Sequence, residues 1–444
     1  MFYGTCRINE LNHLEIGGCD TIELVKEFGT PLYVMDENHI RENCRLYINN
    51  LRKLHENSEV IYAGKAFLTM EMCKLIEEEG LGLDVVSGGE LYTAIKSGFP
   101  AKKIYFHGNN KSYAELEMAV EYGVGRIIVD NFYELELLRD IAKKYQGKKI
   151  KIMLRLTPGI EAHTHDYIKT GQLDSKFGFG MENGHALMAV ENALSIKGFK
   201  LTGFHCHIGS QIFEEEPFKD AAEVMIQFAK TVNKKYEFKT KEIDFGGGFG
   251  IKYTEKDKPL AVKDYITILV ESVKESCKKH DISIPKILIE PGRAIVGEAG
   301  TTLYTIGAIK NIPGVRKYVS VDGGMSDNIR PALYGAQYMA LIANKANCPK
   351  EETVSIAGKC CESGDMLIWD IDLPKIAPGD ILAVFSTGAY HYSMASNYNM
   401  IPKPAVVFVK NKAARIVVRR QTYEDLINNE VFSPHSKHIS LASF

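Results

Sequence analysis

A short β-branched apolar run, a loop and an amphipathic helical stretch recur eight times over the first three hundred residues. No other feature of the sequence constrains the fold as tightly. The runs are EVIYA, LGLDVV, KIYF, RIIVD, KIMLRL, KLTGFHC, EIDFG and KILIEP, beginning near Glu59, Leu81, Lys103, Arg126, Lys149, Lys200, Glu242 and Lys286. Strands with apolar faces on both sides, alternating with helices, call for a parallel sheet. Eight such units call for closure into an α/β (β/α)8 barrel of the TIM type. Helix starts are legible between the runs. Ser87 with Glu90 and Ser112 with Glu115 fit the capping box, and Asn131 with Glu134 is a weaker copy. Gly98, Gly123 and Gly147 sit where those helices should stop. A further helical pattern, from Asn38 to about His55, precedes the first strand.

After roughly Gly300 the texture changes. TTLYTIGAI, KYVSVDGG, TVSIAG, DILAVFS, PAVVFV and ARIVV are short β-rich runs broken by Gly, Pro and Asn. The expected division is a barrel over 30–300 and a β-rich, sandwich- or barrel-like domain built from 301–444 with 1–29, whose opening residues also read as strands. Lys plus Arg number 54 against 56 Asp plus Glu. That balance argues against a nucleic-acid polymer or an anionic membrane as partner. No apolar run approaches the ~20 residues of a membrane span, and the N-terminus lacks the pattern of a secretory signal. Nine scattered cysteines fit reduced thiols, so the expected location is the cytoplasm.

In such a barrel the reactive side chains gather at the carboxyl ends of the strands. Lys65, after the first strand, would be partly desolvated there and suited to a Schiff base, although on position alone a surface lysine opening a helix is the better reading. His205 and His207 follow the sixth strand. As alternate residues of an extended chain they would share a face, fit for a metal ion or for one ring laid on a flat cofactor. Gly246-Gly247-Gly248 after the seventh strand could bring backbone N–H groups to a phosphate or form only a tight turn. Glu290 and Arg293 after the eighth could hold a basic heterocycle and a carboxylate, or simply pair with each other. In KCCESGD, Cys360 and Cys361 lack further ligands for a metal, and a vicinal disulfide would be strained. Read alone, they are two small apolar residues.

A Schiff-base lysine, a histidine for a ring face, a glycine loop and a buried glutamate together describe pyridoxal 5'-phosphate, with no metal. Eleven segments carry a resemblance: YAGKA, LDVVSGGEL, FHGNNK, PGIEAHTHDYIKTG, DSKFG, HCHIGSQ, DFGGGFG, EPGR, DNIRPALYGA, CESGD and GAYHYSMASNYN. In that order, nearly end to end, the sequence resembles the barrel-type pyridoxal-phosphate decarboxylases, and within them the branch acting on meso-2,6-diaminopimelate. The resemblance implies decarboxylation to L-lysine and carbon dioxide, the last step of lysine biosynthesis. It implies that Lys65 bonds the cofactor aldehyde, His207 lies on its ring and Glu290 meets the ring nitrogen. Gly248, Gly292, Arg293 and Ser210 would surround the phosphate. Arg293, Arg330 and Tyr334 would grip the distal carboxylate, Glu362 the distal ammonium, and Tyr390 both cofactor and substrate. Cys361 would be the proton donor, reaching the other subunit's barrel across a homodimer interface to which the β-rich domain contributes, with Cys360 packing beside it. The stretch from Pro158 to about Gly180, with His163 and His165, would be a lid. A relative acting on a polyamine precursor and a catalytically dead partner-binding relative are the rival readings.

Overall fold

A computed structural model describes residues 2–160 and 175–431. Eight parallel strands close into a barrel: Ser58–Ala63, Gly82–Val85, Ile104–Phe106, Arg126–Val129, Ile150–Thr157, Phe199–His205, Glu242–Asp244 and Lys286–Ile289. Each pairs with the next, and the ring shuts where Ile287 to Ile289 lie opposite Ser58 to Val60. The barrel's inside is filled by Ile61, Tyr105, Ile128, Met153 and Leu288, all nearly inaccessible. That filling makes it a packed core rather than a pore. Truncating Ile128 to Ala there would cost about 2–5 kcal/mol.

Local signals place the helices. Ser112 completes a capping box with Glu115 before Tyr113–Tyr122, and Gly123 ends that helix at φ 78°, a left-handed turn that glycine enters without strain. Ser87 caps Gly88–Ser97 through the Glu90 N–H, but the Glu90 carboxylate accepts from Val86 N–H instead of closing the box. Asn131 caps Phe132–Lys144. Gly147 lies beyond that helix's last residue rather than at its cap. The leading helix is Glu37–Leu54, and it packs against the late barrel helix Val262–His280.

The β-rich domain is organised by one long strand, Gly300–Ile312. Its first half pairs with Ile381–Phe385 on one side and Leu32–Asp36 on the other; its second half pairs with Arg316–Val321. Ala405–Lys410 lies parallel to Leu32–Asp36, and Ala413–Val418 closes that edge. A strand from before the barrel is therefore built into the β-rich sheet. The opening residues form a small sheet of their own, Arg7–Ile8, Leu14–Ile16 and Cys19–Asp20. Leu14 and Ile16 pack with Leu303, Ala383 and Val407, which seals that sheet against the domain. The seam to the barrel carries charge: Glu37 holds Arg41, Lys410 and Arg415 together.

Candidate active site at the barrel mouth

Because the eight strands run the same way, their carboxyl ends meet at one rim, and each end brings a functional group. Lys65 sits in the single turn Gly64–Ala66 after the first strand. Asp84 lies in the second, His107 follows the third, Asp130 the fourth, and Arg155 lies in the fifth. His205 ends the sixth, with His207 beyond it. Asp244 ends the seventh, and Glu290 and Arg293 follow the eighth. A cavity of about 720 Å³ opens here and takes in Lys65, His207, Glu290, Arg293, Arg330 and Tyr390. Ser210 and Tyr334 also line it. Lys65 is exposed within that space, so the expectation of a desolvated amine is corrected: the open mouth leaves it in solvent.

A recess of about 40 Å³ adjoins the cavity, bounded by Ala63, Ser210, Gly247, Gly248, Gly292 and Arg293. Two glycines are dictated by geometry. Gly248 has φ 101°, and a Cβ at Gly247 would lie 2.4 Å from the Glu290 carbonyl oxygen. Tyr390 is another left-handed residue, at φ 63°. Its N–H donates to the Ala66 carbonyl at 2.8 Å, so the β-rich domain braces the Lys65 turn, and its ring lies 4.8 Å from the Arg293 guanidinium.

The two histidines of HCH part company. The sixth strand stops at His205, and the backbone no longer alternates beyond it. His205 turns to Glu290, Nε2 to Oε2 3.2 Å, while His207 Nδ1 accepts the Gly247 N–H at 3.3 Å. They are therefore not a shared metal pair. The charges of EPGR also separate. Glu290 contacts imidazoles, whereas Arg293 donates to Tyr253 Oη at 2.6 Å and Ser210 Oγ at 2.9 Å. Arg330 donates to the same Tyr253 oxygen and to Tyr338 Oη, each at 2.9 Å. Burial raises the Tyr253 phenol, but the two guanidiniums outweigh it and hold it below its ordinary value. His107, Asp84, Arg155, Tyr253 and Tyr338 were not singled out by sequence. His107 stood within FHGNNK at a strand end, which was signal enough; the tyrosines had none.

Cys361 and Glu362 do not line this cavity and are exposed, whereas Cys360 is buried. All nine cysteines are free thiols. His163 and His165 lie outside the described residues.

Residues 37–297 match the model of the pyridoxal-dependent decarboxylase family's pyridoxal-binding domain. Diaminopimelate decarboxylase of Bacillus subtilis is 56% identical over 425 residues, covering 96% of this chain and 97% of that one. This chain belongs to the diaminopimelate decarboxylase family. Among solved members, the M. jannaschii enzyme in complex with L-lysine superposes with a TM-score of 0.92 at 37% identity, covering 98% of this chain and 100% of that one. The Helicobacter pylori enzyme with L-lysine gives 0.83 at 31%, covering 92% and 98%. The family's fold, a closed barrel followed by a β-rich domain, is the one described above, and its cofactor is pyridoxal 5'-phosphate.

The mouth fits that cofactor. Glu290 Oε1 is buried, lines the cavity and makes no well-aligned hydrogen bond among the described residues, leaving an acceptor for a protonated ring nitrogen. The glycine-walled recess admits a phosphate against backbone, and Lys65 opens onto both spaces.

Proposed function

We propose that this chain decarboxylates meso-2,6-diaminopimelate to L-lysine and carbon dioxide, as the last step of lysine biosynthesis, and that it works as a cytoplasmic homodimer. The convergence of Arg293 and Arg330 on Tyr253, in the same cavity as Lys65, carries the substrate assignment. Two planar guanidiniums in a tyrosine-lined wall suit a second carboxylate at the far end of the substrate. A substrate without that group leaves buried charge uncompensated, at a cost of about 2–5 kcal/mol. Relatives of that name from Bacillus methanolicus and Staphylococcus aureus, at 57% and 46% identity, support the same reading.

Placement supports the following residue roles. Lys65 would hold the cofactor aldehyde, with His207 at its ring and Glu290 at its nitrogen. Gly248, Gly292, Arg293 and Ser210, which line the recess, would hold the phosphate. Arg293, Arg330 and Tyr334 orient the distal carboxylate, and Tyr390 closes the wall between them. When bound, pyridoxal 5'-phosphate supplies an electron sink for the pair left on the α-carbon as carbon dioxide departs. Cys361 of a second copy delivers a proton from Sγ to that carbon, and Glu362 beside it accepts the distal ammonium. Their exposure, outside their own chain's cavity, supports a site completed across two subunits. No helix among the described residues is long and apolar enough to cross a membrane.

The test is incubation of purified protein with pyridoxal phosphate and meso-diaminopimelate, measuring lysine and carbon dioxide, beside parallel assays on L-ornithine and L-arginine. Turnover of diaminopimelate is expected to dominate; faster turnover of ornithine overturns the substrate assignment.

A further inference from the structure

Glu290 is gripped from two sides by residues to which the proposed reaction gives no role. His107 places Nε2 2.7 Å from Oε1, and His205 places Nε2 3.2 Å from Oε2. The two rings meet edge to face, with centroids 4.8 Å apart and planes at 71°. They are 4% and 1% exposed, and the carboxylate residue itself 7%. Their placement is a product of the barrel: the third, sixth and eighth strands are spaced around the ring, and the side chains at their carboxyl ends meet at the mouth.

The surroundings make the grip consequential. Asp84, Arg155, His207 and Asp244 face the same carboxylate from the second, fifth, sixth and seventh strand ends, and Lys65 lines the same cavity from the first. Burial, followed by the charge of Glu290, pushes the Asp84 and Asp244 carboxyls up toward the neutral acid. Burial would do the same to Glu290, yet the imidazoles on its two oxygens hold it well below the usual carboxylate range. Burial drives the His107 ring down to about 4 and lowers His205 as well. A neutral imidazole has one N–H to give. His205 meets Oε2 through a hydrogen bond at Nε2, whereas His107 Nε2 lies 2.7 Å from Oε1 as a close contact not aligned for a hydrogen bond; Nδ1 of His205 has no hydrogen-bond partner among the described residues. The carboxylate keeps further lone pairs for a third donor, so two imidazoles and a ring nitrogen can share it.

We propose that His107 and His205 are positioning residues, a two-imidazole clamp that holds the Glu290 carboxylate ionised and aimed at the cofactor's ring nitrogen. The clamp rests on the reading of Glu290 as that nitrogen's partner. It acts by keeping the shared proton on the ring rather than on the glutamate. Without one imidazole the glutamate takes the proton up itself, and the ring loses the charge that makes it a strong electron sink.

The experiment compares His107→Phe and His205→Phe, which fill the space without a donor, with His107→Gln and His205→Gln, which keep an N–H. The carboxyl stretch of the apoenzyme is followed by infrared spectroscopy against pH, with Glu290→Gln identifying the band. In parallel, the affinity for pyridoxal phosphate and the pH dependence of its bound absorbance are measured. Each Phe variant is expected to raise the Glu290 titration by about one pH unit or more and to weaken cofactor binding about tenfold. In these variants kcat should fall about tenfold, with KM for diaminopimelate changed less than about twofold. The Gln variants should recover most of each effect. An unchanged carboxyl titration and cofactor spectrum in the Phe variants overturns the clamp. If a Phe variant does not fold, His107→Ala and His205→Ala with and without added imidazole decide instead. Restoration by imidazole supports the clamp, and a carboxyl titration indifferent to it overturns the proposal. Should Glu290→Gln leave the bound cofactor's absorbance unaltered, the ring-nitrogen reading fails, while the apoenzyme titration still decides the clamp.

Discussion

At the barrel mouth Glu290 is 7% exposed and touched on both oxygens, and Arg293 and Arg330 are fixed through a shared tyrosine. In KCCESGD, Cys361 and Glu362 are exposed and line no part of the mouth's cavity. The loop is nonetheless well anchored from below. Asp365 Oδ2 accepts the Cys360 N–H at 2.7 Å, Oδ1 accepts the Met325 N–H at 2.6 Å, and the Cys361 N–H donates to Asn399 at 2.7 Å. One region is thus an enclosed pocket, and the other an anchored platform presenting a thiol and a carboxylate outward. Two such half-sites suit a reaction in which one chain holds the cofactor and its neighbour delivers the proton.

The largest effect expected is at the mouth. Lys65→Ala should abolish both turnover and the absorbance of lysine-bound cofactor; a retained band removes that lysine from its role. Next comes the platform. Cys361→Ala should keep the cofactor band yet lose roughly 10²- to 10⁴-fold in kcat, the range of a single acid–base group. Mixing the two inactive variants breaks or sharpens the comparison directly. Random reassortment puts one intact site in each mixed dimer, so roughly a quarter of full activity should return. No recovery, with subunit exchange demonstrated by mass spectrometry, would mean that both groups serve the same chain's site.

The contrast also explains what could be read from the chain. The eight barrel strands were legible because each is a local apolar run, and Ile287 closing on Ser58 follows once eight are counted. Ser112 and Gly123 were legible for the same reason, since caps are written within a few residues. The site lysine, glutamate and glycines followed from strand ends. What failed was non-local. Leu32–Asp36 reads as one more apolar run, and only its partners, Gly300 to Leu303 and Ala405 to Val409, assign it to the β-rich sheet. The strand Met366–Leu373 was missed because its outer half, Trp369 to Asp372, alternates aspartates with apolar residues and is largely exposed. Tyr253 and Tyr338 become site residues only through arginines that arrive from other segments. His205 was read with its sequence neighbour His207, whereas its partner in space is Glu290, 85 residues on.

Arg330→Ala should lose diaminopimelate turnover by about 30- to several-thousand-fold, the equivalent of 2–5 kcal/mol, while cofactor affinity holds. Equal loss of both would place Arg330 at the cofactor instead of the substrate.

The smallest effect separates anchoring from chemistry. Asp365 is 3% exposed, and a Cβ on Gly358 would lie 2.1 Å from its Oδ2, so the site admits this carboxylate only because Gly358 lacks a side chain. Asp365→Asn is nearly isosteric, but its amide cannot accept from both Cys360 and Met325. One buried N–H is left without its acceptor, a loss of about 1–3 kcal/mol that loosens the loop under Cys361. Turnover should fall about tenfold. The cofactor band, the cofactor's dissociation constant and the pH dependence of its absorbance should all stay as they were, because the Glu290 side of the mouth is untouched. If the band shifts with this substitution, the platform and the pocket are one coupled unit, and the division between them does not hold.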